Sequence, residues 1–209
     1  MNGMAGRFAP CIALFCGAAF AQSMKVPGWH LAGTNPAAYA MGLDSVVRHG
    51  GNNSAAVGCA QGNCQGFSTM MQTIRADPFR GRRVRLTAWV KASNAAMANM
   101  WMRVDGAGAM LVLDNMQNRR AHGTFDWRQQ QIVLDVPDIA FTLNYGLMVA
   151  GNGQAWVDDV ALEVVDRHVR TTASPGRPTP MDVRWTDEQF QKLPSQPVNT
   201  DFEQPPDAR

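Results

Sequence analysis

Residues 82–91 read RRVRLTAWVK. Val84, Leu86, Ala88 and Val90 fall on one side of an extended chain, and Arg83, Arg85, Thr87, Trp89 and Lys91 on the other. Alternation of period two is the pattern of a strand with one buried face. The same period returns in Met100–Asp105, where Met100, Met102 and Val104 oppose Trp101, Arg103 and Asp105. It returns again in Gln131–Pro137, through Ile132, Leu134 and Val136, and in Trp156–Val165, through Val160, Leu162 and Val164. Turn formers punctuate these runs: Gly50-Gly51-Asn52-Asn53, Asp77-Pro78, Gly106-Ala107-Gly108 and Gly151-Asn152-Gly153. No stretch carries a long helical stripe. Short helices are predicted at Pro36–Met41 and at Thr186–Lys192, the latter with Thr186 as N-cap and Asp187 and Glu188 in its first turn. Strands of this length and spacing predict an all-β chain folded as an antiparallel sandwich or barrel.

Composition agrees with one such domain. The chain has 209 residues, 45% of them hydrophobic, enough for a real core. Charged residues are 17% and the net charge is +2, which excludes disorder, a coiled coil and the concentrated basic face of a nucleic-acid binder.

The two ends differ from the middle. Residues 1–21 place a single cation, Arg7, before the apolar run Phe8–Phe20 and close on Ala19-Phe20-Ala21. The run is too short to span a bilayer, and the small residues suit a signal peptidase. We therefore expect residues 1–21 to be a signal peptide and the protein to be periplasmic or secreted. The β-sandwich is assigned to 22–170. Residues 171–198 form a proline-rich linker, opening on TTASPGRPTP and carrying the short helix, and 199–209 form the C-terminal end. Cleavage leaves Cys59 and Cys64, in CAQGNC, as the two cysteines of the exported chain. In an oxidising compartment they are expected to bridge, because no His or acidic residue lies between them to complete a metal site.

Several segments together resemble a known family: HGGNNSAAV (49–57), FRGRRVRLTAWVKA (79–92), MWMRVDG (100–106), GTFDWRQQQIVLDVP (123–137) and GQAWVDDVALEVV (153–165). In this order they resemble the galactose-binding-like jelly rolls of bacterial carbohydrate-binding modules. They also resemble a domain found fused to helix-turn-helix regulators. The resemblance covers about residues 28–166 and implies a jelly-roll β-sandwich. It does not fix a ligand, since such folds host many functions. No helix-turn-helix segment is seen here, so a DNA-binding role does not carry over.

One departure from the family is informative. Its jelly rolls usually open with an Asn-x-Asp-Phe-Glu strand ahead of a Gly-Trp. Here Gly28-Trp29 comes first, and Asn199-Thr200-Asp201-Phe202-Glu203 stands at the far end. The resemblance implies a circular permutation, with the tail returning as a strand and burying Phe202. It further implies a structural calcium held by Asp158 and by Glu203, with backbone carbonyls near Gly50–Ser54 as further ligands. Acceptance of backbone N–H groups by Asp158 is the alternative.

For function, the outward phase of two successive strands gives Arg85, Trp89, Trp101, Arg103 and Asp105 as a ligand-binding face. Indole rings stack on sugar rings and planar polar groups take hydroxyls. The alternative is that the second sheet or the tail covers these residues. Trp127 and Trp156 read as structural. No catalytic residue is assigned. There is no Gly-x-Ser-x-Gly elbow; His30, His49, His122 and His168 lack metal-ligand spacing; and Asp105 and Asp114, facing across a 100–117 hairpin, are expected to be solvated or paired with Arg103 rather than to form a glycosidase pair. The expected function is therefore a non-catalytic module binding carbohydrate or another small polar ligand, without nucleic acid or a membrane span. An envelope interaction domain with a covered face is the alternative, and a hydrolase of unrecognised type the third reading.

Overall fold

The computed structural model describes residues 23–173, 178–182 and 185–205; the expected signal peptide at 1–21 lies outside them. Ten strands build two antiparallel sheets, and an eleventh short one comes from the tail. The six-stranded sheet runs β1 (His30–Gly33), β4 (Phe67–Arg75), β9 (Thr142–Ala150), β6 (Met97–Gly106), β7 (Ala109–Asp114) and β11 (Thr179–Pro180). The five-stranded sheet runs β2 (Tyr39–Asp44), β3 (Ser54–Cys59), β10 (Gln154–Val165), β5 (Arg83–Ala95) and β8 (Gly123–Asp135). This is an antiparallel jelly-roll β-sandwich.

The alternation read from the sequence sets which residues meet between the sheets. Val84, Leu86, Ala88 and Val90 of β5 face Met100, Met102 and Val104 of β6 and Leu143, Tyr145 and Leu147 of β9 across the core, all of them buried. At about 25 cal/mol per Å² of apolar surface, this shared core dominates the fold's stability. Pro36–Ala38 is a single 3-10 turn, not the start of a helix, because Tyr39–Asp44 continues as β2 with Tyr39–Met41 buried. Cys59 and Cys64 form a disulfide, Cα to Cα 5.8 Å, closing the loop after β3.

The tail returns to the sandwich, and Phe202 is fully buried at 5.4 Å, ring to ring, from Trp29. It does not return as a strand. Residues 199–203 make one backbone bond to a sheet strand, Val160 N–H to Thr200 O at 3.0 Å. Asn199 and Phe202 sit at φ 48° and 57°, a left-handed backbone that no strand contains. The segment is a turn held by its own side chains: Asn199 Oδ1 accepts from Gln204 N–H, and Asp201 Oδ1 from Glu203 N–H. Trp29 ties the turn down, its indole N–H donating to Asn199 O at 3.1 Å. The missing first strand is thus replaced by a plug. Before it, the tail crosses the six-stranded sheet. Thr179–Pro180 pairs with β7, and α1 (Asp187–Lys192) starts in a Thr186–Gln189 capping box and packs Phe190 against Phe141, with centroids 5.8 Å apart.

Candidate functional site

The five residues expected to share one face are divided between the sheets. β5 and β6 are successive in sequence but cross from one sheet to the other. Arg85 and Trp89 therefore lie on the outer side of the five-stranded sheet, and Trp101, Arg103 and Asp105 on the outer side of the six-stranded one. Period two shows which side of a strand a residue takes; it does not show which sheet the strand joins.

On the five-stranded side, His49 stacks on Trp89 (centroids 4.1 Å, 15° between planes) and meets Trp127 edge-on at 5.6 Å. Arg85 is paired with Glu163 across the strands at 2.8 Å. Three carboxylates fix the loop carrying His49, and Asp159 Oδ2 meets His49 Nδ1 at 2.7 Å. Asp158 accepts the His49 and Gly50 N–H groups at 2.9 and 3.0 Å, and the Asp159 N–H at 2.8 Å. Glu203, from the tail, accepts the Asn52 and Asn53 N–H groups at 2.6 and 3.1 Å, and the Asn52 side chain at 2.9 Å.

This arrangement bears on the calcium that the resemblance implied. Asp158 does not share the inward phase of Val160 and Leu162. A bulge between Asp158 and Ala161, with Asp159 at φ 48°, adds one residue and turns Asp158 to the outer side opposite Trp89. Nor do Asp158 and Glu203 fit a shared calcium ion. Their oxygens are turned to N–H donors of different residues, and donors repel a cation. Among the described residues no group of three or more His, Cys, Asp or Glu is suited to hold a metal. Burial pushes the Asp158 carboxyl up against its three backbone donors, whereas the Asn52 side chain, with the Asn52 and Asn53 backbone, holds Glu203 below the usual carboxylate range.

The six-stranded sheet presents a different surface. Trp101 stands opposite Gly146 on β9, and its indole N–H donates to Thr69 Oγ1 on β4 at 2.6 Å. Beside it runs a polar chain. Thr73 Oγ1 donates to Asn144 Oδ1 (2.8 Å), Asn144 Nδ2 donates to Asp105 Oδ2 (2.9 Å), and Arg103 Nε and Nη2 donate to the same Oδ2 (3.0 and 2.8 Å). Asp105 Oδ1 is buried and has no hydrogen-bond partner among the described residues. Burial pushes the Asp105 carboxyl up, against Arg103 and Asn144. A buried carboxylate oxygen without a donor costs on the order of 1–3 kcal/mol.

That oxygen's residue lines a cleft of about 320 Å³, floored by Asp105 and Thr142 and walled by Phe141 and by Trp185, Asp187 and Phe190 of the tail. Asp114 takes no part. It stands opposite Met102, not Asp105, and pairs with Arg119 at 2.7 Å. Trp101, 6% exposed, is itself nearly covered. Trp156 is structural, its N–H donating to Asp44 Oδ2 at 2.8 Å. Sequence reading missed Trp185, Asp187, Phe190 and Asn144. The Thr186 N-cap and the acidic first turn announced the helix, but nothing in a proline-rich linker said where the helix would land.

Sheet order and core define a jelly roll like those of bacterial carbohydrate-binding modules. Among solved structures, the chain superposes on the xylan-binding CBM22-1 domain of Xyn10C from Paenibacillus barcinonensis (TM-score 0.51, 18% identity, 70% of this chain and 91% of that one). It also superposes on the enzymatically active domain of tailspike protein 4 from bacteriophage CBA120 (TM-score 0.54, 15% identity, 68% and 20%). In sequence it is 36% identical over 185 residues to YbfP, an uncharacterized HTH-type transcriptional regulator of Bacillus subtilis strain 168; the match takes in 86% of this chain and 58% of the regulator. No protein-family model matches the chain.

Proposed function

We propose that the protein is an exported, non-catalytic binding module that holds a carbohydrate or another small polar ligand on the outer face of its six-stranded sheet. The observation that supports this most is the open Oδ1 of Asp105, buried beside an aromatic-walled cleft. A sugar hydroxyl is the right donor for that oxygen, and Trp185, 37% exposed, offers a ring for stacking. Arg103 and Asn144 hold the carboxylate in place from behind. Arg7, the apolar run after it and the Cys59–Cys64 bridge support export. The xylan-binding neighbour supports the choice of ligand class only as a shared fold. In the HTH-type relative, a module of this kind would serve as the part that senses a ligand. The covered-face alternative draws on the near-complete burial of Trp101 and the tail's crossing of this sheet. A glycan array on the disulfide-intact protein, repeated with Asp105→Asn, separates the two. Binding that the variant loses supports the module; an array without a single hit rejects the carbohydrate.

A further inference from the structure

We infer that the cleft at Asp105 selects a ligand carrying a positively charged nitrogen, an amine or ammonium group, which on the reading above is an amino sugar. The inference rests on that reading for the sugar and on the cleft's own lining for the charge. Two carboxylates, Asp105 and Asp187, and three aromatic rings, Phe141, Trp185 and Phe190, face the space; among the described lining residues there is no lysine or arginine. Ring faces carry negative potential and attract cations, most strongly on tryptophan. Arg103 and Asn144 both bind Oδ2 of Asp105, and the buried Oδ1 has no partner among the described residues. Arg103 is the cation already paired with Asp105, at 2.8 Å, and the other nearby cations are turned elsewhere. Arg80 lies 6.0 Å from the Phe141 ring but pairs with Asp77 and donates to Ala140 O, and Lys192 pairs with Glu188. A neutral hydroxyl would satisfy Oδ1 yet leave Asp187 and the ring faces without a charge to meet. An acidic sugar would be repelled by Asp187 and by the ring faces, whereas Asp105 is already paired with Arg103. Trp185, Asp187 and Phe190 all come from the tail, so the selectivity belongs to the segment that this chain adds to the jelly roll.

The test is calorimetric titration of the disulfide-intact protein, at mildly acid pH, with three tetramers of one backbone: β-1,4-linked glucosamine, N-acetylglucosamine and glucose. The expected result is binding of the glucosamine tetramer about tenfold or more tighter than of the other two. Trp185→Ala and Asp187→Asn should each weaken it about threefold to tenfold without moving the melting temperature. Asp105→Asn should remove the preference. Equal binding of all three overturns the inference and leaves the carbohydrate reading in place. A preference that survives in the Trp185→Ala/Asp187→Asn double variant also overturns it, by placing the charge selectivity elsewhere. Binding of tetramethylammonium to this cleft without binding of any sugar supports the charge selectivity and removes the carbohydrate. Failure of the glucosamine tetramer and of tetramethylammonium to bind overturns the inference, and the glycan array then decides the wider reading alone.

Discussion

Asn144 Nδ2 donates to Asp105 Oδ2 at 2.9 Å, and with Arg103 on the same oxygen it leaves the buried Oδ1 without a partner among the described residues. A carboxylate fixed on one side and open on the other is costly to fold around. Its cost is offset by the sandwich core. The four expectations that follow probe the parts of the chain that bring this about.

Trp101 and Trp185 should behave as opposites. Trp101 is buried and bonded to Thr69, so Trp101→Ala should cost about 3–5 kcal/mol of stability. Trp185 is over a third exposed, and Trp185→Ala should change stability little while weakening ligand binding. Urea unfolding of the two variants measures the difference. A Trp101→Ala protein as stable as wild type would return that ring to the list of free binding surfaces.

Phe202 plugs the end of the sandwich. Phe202→Ala should cost about 3–5 kcal/mol, and removal of 199–209 should do at least as much, because the Trp29 indole then loses its acceptor as well. Thermal melting of both variants reports it. Unchanged melting on truncation would mean the tail is not part of the folded unit.

Glu203 should make the fold acid-sensitive. Its pKa is held below the ordinary 4.5 by the Asn52 side chain and the Asn52 and Asn53 N–H groups. A carboxyl with a lowered folded pKa stabilises above its unfolded pKa, and that stabilisation is lost as pH falls through the folded value. Wild type should therefore lose stability below pH 4.5, and Glu203→Gln should be less stable at neutral pH with a shallower acid limb. Melting curves across that range in both proteins decide it. Parallel acid limbs would show that the tail-to-loop contact carries no linkage.

The Cys59–Cys64 bridge should pin a loop, not hold the fold. A loop of about 15 residues is worth about 3 kcal/mol on the chain-entropy model, and this shorter one should be worth less. The Cys59→Ser/Cys64→Ser double variant should stay folded with a modestly lower melting temperature. A thiol assay on unreduced exported protein should find no free cysteine; two free thiols there would contradict both the bridge and the oxidising compartment.

Much of the fold was legible because β5, β6, β8 and β10 carry apolar residues at period two, although only β5 keeps a clean alternation of burial along its length. β3, β4 and β9 were not: buried runs such as Ser54–Val57 and Thr142–Leu147 bury nearly every residue and carry no period. The Asn-x-Asp-Phe-Glu segment pointed correctly to a docked tail and a buried Phe202. Its backbone escaped because two left-handed residues, Asn199 and Phe202, depend on bonds to distant partners such as Pro27. The site was half legible. Arg103 and Asp105 stand as neighbours on one side of β6, as their phase required, but their companions come from β9 and from the tail, distances that no local pattern spans.

The most direct test of a ligand held at Asp105 is a titration of the indole N–H resonances of the nitrogen-15-labelled protein with the strongest ligand from the array. The account predicts that the Trp185 resonance shifts in proportion to occupancy, that Trp89 and Trp127 on the opposite sheet stay fixed, and that Asp105→Asn removes the response. Shifts confined to Trp89 and Trp127, or an unmoved Trp185 at saturation, would contradict it.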